Sequence, residues 1–214
     1  MRSLVIGAHL LERDVESIAA PLPAGDLFLS TIAIENDQPL GDRELLLRVA
    51  ALRSRLLDVA TFIAIRYGFT VAGAEEAQSK CAAHIAGWRT LLTENRENVE
   101  MTLKVAAAAP QARPDRAAFA SGAGYLRALH EATRSAAADP KVRATAEELL
   151  LPLSVRHRWL QRDEKSLELA LLIPRRNRED VYAAGETLRA RMPDAPFLLS
   201  GPWPLEVFAN DDHE

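Results

Sequence analysis

The chain has 214 residues, of which 48% are apolar and 26% charged, and its formal net charge is −4. This composition is typical of a soluble globular protein with one large or two small domains. The acidic balance argues against nucleic acid as a partner, and the single cysteine excludes an intramolecular disulfide. No apolar run approaches the roughly 18 to 20 residues of a membrane span. We therefore expect a cytoplasmic protein.

The first part of the chain predicts short strands and helices in alternation. Residues 3–10 form an apolar run typical of a strand, and 11–20 fit a short helix. Pro21 and Pro23 are expected to end that helix, because proline cannot continue one. Residues 27–34 are rich in apolar and β-branched side chains and predict a second strand.

A long helix is predicted after Asp42, which is suited to cap its N-terminus. Residues 61–65 then form a continuous apolar run, which predicts a buried strand followed by a tight loop at Arg66, Tyr67 and Gly68. The helix has apolar positions at three- and four-residue spacing, with arginines that include Arg53 between them; these positions are Leu45, Val49, Leu52, Leu56 and Val59.

The remainder of the chain mixes helices with half-exposed strands. A helix after Gly73 has one apolar face that includes Cys81, and a long helical insertion is predicted over 115–162, with a break at Pro152. Further elements are a strand over 99–107, a linker over 108–114, a strand over 167–174, a helix over 178–192 and a last strand over 197–200.

This order predicts an α+β fold with two lobes, in which small sheets are covered by helices on one face. We expect an N-terminal domain at 1–70 and a C-terminal domain at 71–214 that contains the helical insertion.

No catalytic constellation is present in the sequence. It has no glycine-rich phosphate loop and no nucleophile elbow. The five histidines are scattered, and no pair has the spacing of a helical metal site, so we expect no metal and no cofactor. Cys81 on an apolar helix face is a predicted core residue. His213 lies in an acidic run at the end of the sequence, which we expect to be exposed to solvent.

Two short polar segments are candidate binding sites. Arg66, Tyr67 and Gly68 follow a buried strand, where a loop is well positioned to bind a partner. Alternatively, Arg66 pairs with a buried carboxylate or carbonyl, and Gly68 supplies a positive φ. The second segment is a basic cluster without interleaved aromatic residues, which either faces solvent or pairs with an acidic partner surface; it consists of Arg175, Arg176 and Arg178.

The most unusual segment runs through Gly201, Pro202, Trp203 and Pro204, with Phe208 beyond it. Two prolines around a tryptophan remove two backbone donors, so regular structure is expected to stop here. Such a rigid aromatic segment needs a place to dock. Trp203 is expected either to pack as a core aromatic or to anchor a partner, since tryptophan is frequent at interface hot spots.

This segment resembles the C-terminal signature of the GvpL/GvpF family of gas vesicle proteins, which typically reads Thr-Gly-Pro-Trp-Pro-Pro-Tyr-Ser-Phe. Residues 62–70 are similar to the family's Pro-Leu-Arg-Phe-Gly-Thr segment, and 100–105 to its Glu-x-x-(Val/Leu)-Lys-Val strand. Residues 124–126 resemble its Gly-x-x-Tyr-Leu helix start. Leu-Glu-Val at 205–207 departs from the usual Pro-Tyr-Ser, which indicates a divergent member.

The resemblance implies a ferredoxin-like N-terminal α+β domain, a C-terminal α+β domain with prominent helices, and a non-enzymatic role. It implies an accessory protein of gas vesicles that acts in assembly and contacts the small hydrophobic shell protein GvpA, transiently as a chaperone or as a minor component of the vesicle wall. It also implies that the Gly-Pro-Trp-Pro segment and Phe208 are structural. The alternative is a small-molecule-binding or enzymatic protein with its site between the lobes, near Arg66 and Tyr67.

Overall fold

The structure, a computed structural model, describes residues 1–10, 13–106, 115–134, 139–163 and 166–209. These ranges contain both helices and strands, and the predicted α+β class is confirmed. The linker predicted over 108–114 and the terminal residue His213 lie outside the described residues. In chain order the elements are β1 (Arg2–His9), α1 (Arg13–Glu16), β2 (Ala20–Ala24), β3 (Leu27–Ile34), α2 (Arg43–Val59), β4 (Phe62–Ala64), β5 (Thr70–Val71), α3 (Ala74–Glu94), β6 (Asn98–Ala106), α4 (Gly122–Arg134), α5 (Pro140–Leu150), β7 (Arg156–Asp163), β8 (Ser166–Pro174), α6 (Arg178–Arg191) and β9 (Phe197–Trp203), with 3₁₀ turns at Arg116–Ala118, Leu151–Leu153 and Arg175–Asn177.

The first sheet has the strand order β2-β3-β1-β4, and the short β5 also pairs with β1. The pairs β1–β3, β1–β4 and β2–β3 are all antiparallel. Elements β1 to β4 therefore follow the β-α-β-β-α-β order of a ferredoxin-like sheet, as the resemblance implied. Its core includes the fully buried side chains of Leu4, Ile6, Leu27 and Leu29.

Helix α2 forms as the sequence predicts. The side chain of Asp42 accepts a hydrogen bond of 3.1 Å from the backbone N–H of Glu44 and so caps the first turn. The buried face consists of Leu45, Val49, Leu56 and Leu57.

Gly7 lies at a bulge in β1, where the pairing register with β3 shifts between Val5 and Gly7. A Cβ at this position would lie 2.8 Å from the carbonyl oxygen of Ile63 and would also overlap the ring of Phe62. The close approach of β1 to β4 therefore requires glycine here.

The second sheet has the strand order β7-β8-β6-β9. Asp139 caps α5 by accepting a hydrogen bond of 2.8 Å from the backbone N–H of Lys141. Helix α6 packs on β9 through Gly185, where a Cβ would meet the Leu199 side chain at 2.5 Å.

The described residues form two compact units, one made of 1–100 with 202–209 and the other of 101–201. These units divide the chain differently from the expected domains at 1–70 and 71–214. The physical reason is that α3 packs against β2, β1 and β4 of the first sheet, and that the residues after β9 return to the first unit. A separately folded domain at 1–70 stays a prediction.

The helical insertion expected over 115–162 is shorter than predicted. The helical part ends at Leu153, one residue after Pro152, and residues 156–163 form β7. This strand pairs with β8 in antiparallel register, so Trp159 lies opposite Leu169. Antiparallel pairing with β8, the next strand in the chain, outweighs the helical pattern expected for residues 156–162.

Two proline-containing segments form strands, although the sequence predicted a helix end at the first and a stop of regular structure at the second. Pro21 and Pro23 lie in β2, and Pro202 lies in β9, which runs through the Gly-Pro-Trp segment as far as Trp203. Both strands are at the edge of their sheet. An edge position tolerates proline because the missing N–H can face away from the ladder.

Candidate functional site

The first unit contains a cleft of about 660 Å³. One wall is a face of α3, the second is the end of β4 with the loop that follows it, and the third is the segment after β9. The lining residues are Arg53, Ala64, Ile65, Arg66, Tyr67, Phe69, Lys80, Cys81, His84, Trp88, Glu206 and Ala209. Two of the predicted site residues, Arg66 and Tyr67, thus lie in one cleft with the residues that follow the Gly-Pro-Trp-Pro segment.

The loop at Arg66 is a tight turn that its sequence explains. The backbone N–H of Phe69 donates to the carbonyl oxygen of Arg66 at 3.2 Å, and Gly68 adopts a φ of 93°. Such a φ favours glycine, as the sequence predicted. The hydroxyl of Tyr67 donates to the carbonyl oxygen of Leu40. These contacts hold the loop against the end of the 35–41 segment.

Arg66 is exposed, and its guanidinium makes no hydrogen bond or ion pair within the described part of the chain. The alternative that Arg66 pairs with a buried carboxylate or carbonyl therefore finds no partner for Arg66 among the described residues. Arg53 fills that role, since its Nη2 donates to the carbonyl oxygen of Ile65 at 2.6 Å and to that of Ile6 at 3.2 Å.

Burial lowers the pKa of Arg53, and the nearby negative charge of Glu206 opposes that decrease. Its Nε is buried without a hydrogen-bond partner among the described residues. In the sequence, Arg53 stands between the apolar positions of α2. The spacing of Arg53 could have indicated that it lies on the inner face of α2, because it comes four residues after Val49 and three before Leu56, which are both buried.

Helix α3 contributes a mixed basic and aromatic wall. Lys80 lies 2.7 Å from the carboxylate of Glu76, donates to the carbonyl oxygen of Thr70 at 3.0 Å and is 5.6 Å from the centre of the Phe69 ring. One turn further along, the rings of His84 and Trp88 stack with a centroid distance of 5.2 Å.

Cys81 lies between these groups and is 2% exposed. Burial raises the pKa of its thiol, which keeps the thiol protonated and unreactive at neutral pH. The structure places Cys81 in the core, in agreement with the prediction from its helix face.

The third wall is a short C-terminal segment, residues 204–209, which docks on the first unit. Leu205 pairs with β4 along its backbone. Its N–H donates to the carbonyl oxygen of Phe62 at 2.9 Å, and the residue forms a parallel β-bridge with Ile63. Leu205 is fully buried and Phe208 is 3% exposed. The segment is therefore anchored by main-chain pairing and by two apolar side chains.

Glu100 holds the same segment from β6. Its carboxylate accepts three backbone N–H hydrogen bonds, from Glu206 at 2.8 Å, Val207 at 3.1 Å and Phe208 at 3.0 Å. The side chain is 2% exposed. Burial raises the pKa of Glu100, and the three N–H donors oppose that rise because they stabilise the charged form.

Trp203 does not belong to this anchor. Its side chain is 47% exposed, so the expectation of a core aromatic at this position is wrong. Proline and leucine at 204 and 205, together with Phe208, provide the buried contacts instead. Gly201 has a φ of 129° and its carbonyl oxygen accepts a hydrogen bond from the hydroxyl of Tyr182, which fixes the backbone before Trp203.

The family described as gas vesicle synthesis protein GvpL/GvpF matches this chain over residues 18–209. The chain belongs to the GvpL/GvpF family. The match spans the cleft, the Glu100 anchor and the C-terminal segment, so the resemblance inferred from the sequence motifs is confirmed.

Two solved structures of the family share the fold. The chain is similar to gas vesicle protein GvpF from Anabaena sp. PCC7120 at 13% identity and a TM-score of 0.71, with 97% of this chain and 95% of that chain covered. It is similar to GvpF from Microcystis aeruginosa at 11% identity and a TM-score of 0.73, covering 97% and 98% respectively. No curated protein sequence matches the chain. At such low identity, the structural likeness shows the α+β fold of this GvpL/GvpF member.

The predicted basic cluster of this GvpL/GvpF member lies elsewhere. Arg175 and Arg176 are in the 3₁₀ turn before α6, and Arg178 is its first residue. They belong to the second unit, and none of them lines the cleft. Arg178 lies 3.3 Å from the carboxylate of Glu179, while Arg176 is exposed. A role in binding an acidic partner stays a prediction for this cluster.

Across the described ranges, no group of three or more histidine, cysteine, aspartate or glutamate side chains is arranged to hold a metal ion. No helix among them is both long and apolar enough to cross a membrane.

Proposed function

We propose that this GvpL/GvpF member acts in gas vesicle assembly by binding the hydrophobic shell protein of the GvpA type, in a chaperone-like or minor structural role. The observation that carries the proposal is the family match over residues 18–209. We infer a location at the gas vesicle and in the cytoplasm, contact with other gas vesicle accessory proteins as well, and no catalytic activity.

The physical reason for such a partner lies in the shell subunit. A small hydrophobic protein exposes apolar surface before it assembles, and such surface aggregates in water. A binding partner that covers this surface keeps the subunit competent for assembly. The cleft of the first unit supports this proposal because it offers the rings of Tyr67, Phe69 and Trp88 next to charged groups.

The first test is co-purification. The full chain, tagged and expressed with a GvpA-type shell protein, is expected to retain that protein at stoichiometric amounts. A matched culture lacking the chain is expected to yield aggregated shell protein and few vesicles. Absence of association, together with normal vesicles after deletion of the gene, would contradict the proposal.

A second measurement separates the two roles. If the chain acts transiently, washed vesicles contain none of it, although it co-purifies with unassembled shell protein. If it is a minor component of the wall, it stays with the vesicles after washing in high salt.

A small-molecule site is the second candidate function. It is favoured by one observation: Arg66 is exposed and unengaged within the described residues, on a cleft whose volume lies within the range of ligand pockets. Thermal unfolding of the chain against a panel of metabolites tests it. A ligand that raises the melting temperature of the wild-type chain, but not of an Arg66→Ala variant, would support this candidate.

A further inference from the structure

We propose that the cleft recognises a carboxylate side chain on a segment of the protein partner, and that Arg66 is the residue that pairs with it. The inference rests on the proposed function and deepens it, because it assigns the contact surface and the chemistry of the partner's recognised residue.

The first argument for this inference comes from the charged side chains that line the cleft. Three cationic side chains from three different parts of the chain border the cleft, namely Arg53, Arg66 and Lys80. Among the described lining residues, Glu206 is the acidic one. The chain as a whole has a net charge of −4, so this lining differs in sign from the average of the molecule. A cleft with such a lining favours an anionic group.

The partners of these cations identify the residue that is available. Arg53 already donates to the carbonyl oxygens of Ile6 and Ile65, and Lys80 already pairs with Glu76. Arg66 is exposed and has no such partner within the described residues. Its loop is fixed by the turn at Gly68, so the guanidinium is presented from a rigid backbone and can take a carboxylate in a bidentate pair.

The aromatic lining favours a protein segment over a small anion. Trp88, stacked on His84, and Tyr67 border the same cleft as Arg66. Tryptophan, tyrosine and arginine are the residue types most enriched at the hot spots of protein interfaces. The combination fits an acidic side chain flanked by apolar residues, whose apolar neighbours cover the rings while the carboxylate reaches Arg66.

The test compares two charge reversals in the full-length chain. Arg66→Glu places a negative charge in the cleft, and Arg48→Glu makes the same change on the exposed face of α2, outside the cleft. Binding to purified GvpA-type shell protein is measured for both variants and the wild type, at low and high salt, after circular dichroism has shown that both variants are folded.

We expect Arg66→Glu to weaken binding by about tenfold or more, with a smaller dependence on salt, and Arg48→Glu to leave it within about twofold. A reversal of one acidic residue of the shell protein to lysine is expected to restore binding to Arg66→Glu. Equal binding by Arg66→Glu and the wild type would overturn the inference and leave the proposed function intact. Failure of the wild type itself to bind would overturn the proposed function.

A competition arm distinguishes the source of the carboxylate. Citrate, added at a concentration that keeps ionic strength matched with sodium chloride, is expected to compete no better than the chloride salt. Full displacement of the shell protein by citrate would overturn the inference in favour of a small-anion site.

Discussion

The carboxylate of Glu100 accepts a hydrogen bond of 3.0 Å from the backbone N–H of Phe208, a residue 108 positions later in the chain. Two further N–H groups, those of Glu206 and Val207, point at the same carboxylate. One buried side chain thus holds the segment that completes the cleft, and it joins two stretches that the sequence showed only as separate family motifs.

We expect Glu100→Gln to loosen this segment. The amide has one acceptor oxygen, and its NH2 group would face a backbone N–H, so at least one of the three hydrogen bonds is lost. A buried donor left without a partner costs about 1 to 3 kcal/mol. Glu97→Gln, an exposed change of the same type on the preceding turn, is the control.

Hydrogen exchange of the amides of Glu206, Val207 and Phe208 measures this loosening directly. Exchange at these amides should accelerate in Glu100→Gln and stay at the wild-type rate in Glu97→Gln. Unchanged protection in Glu100→Gln would show that Leu205 and Phe208 hold the segment without the carboxylate.

The relative burial of Phe208 and Trp203 gives a second prediction. Phe208 is 3% exposed and Trp203 is 47% exposed. Phe208→Ala is expected to lower the free energy of unfolding by about 3 to 5 kcal/mol, as for other buried aromatic residues. Trp203→Ala is expected to cost no more than about 1 to 2 kcal/mol. Urea denaturation of the two variants checks the order, and a larger loss in Trp203→Ala would contradict it.

A third prediction concerns Arg53. Arg53→Met keeps the apolar stem but removes the donor for the carbonyl oxygens of Ile6 and Ile65. We expect a loss of about 1 to 3 kcal/mol in the free energy of unfolding, because the carbonyl oxygen of Ile65 loses this donor. The carbonyl oxygen of Ile6 keeps the backbone N–H of Ile65 at 3.3 Å. Arg55→Met on the exposed side of the same helix should change it by no more than about 0.5 kcal/mol. Equal effects in thermal denaturation would argue against a structural role for Arg53.

The fourth prediction is a pH dependence that originates at His9. This side chain is fully buried, its Nδ1 lies 3.1 Å from the carbonyl oxygen of Leu10, and burial lowers its pKa from the usual 6.5. The unfolded chain therefore binds a proton at a higher pH than the folded chain does. The free energy of unfolding should fall as pH decreases below about 6.5.

His9→Asn removes this contribution. As the pH decreases from about 7 to about 5, a range that spans the usual histidine pKa, the free energy of unfolding of His9→Asn should fall less steeply than that of the wild type. Identical slopes for His9→Asn and the wild type would show that His9 is not the titrating group.

Local patterns were sufficient for the elements whose stability is local. The Asp42 cap and the apolar spacing of α2 predicted that helix, and the strand at 27–34 has the predicted bounds. The loop at Arg66, Tyr67 and Gly68 was also predictable, because the apolar run of the buried strand ends before it and the glycine favours a turn with a positive φ. The motifs at 62–70, 100–105 and 201–204 were enough to indicate the GvpL/GvpF family.

The sequence by itself determined the α+β class, most helices and the family of this protein, because capping, periodicity and motif spacing act over a few residues. Only the tertiary structure decided which arginine turns inward to the carbonyl groups, that Trp203 is exposed while Phe208 is buried, and that β7 is a strand. It also brought the C-terminal segment onto Glu100. These outcomes depend on pairing and burial between separate elements, from the β7–β8 hairpin to the contact between Glu100 and Phe208, and a pattern within one element does not record them.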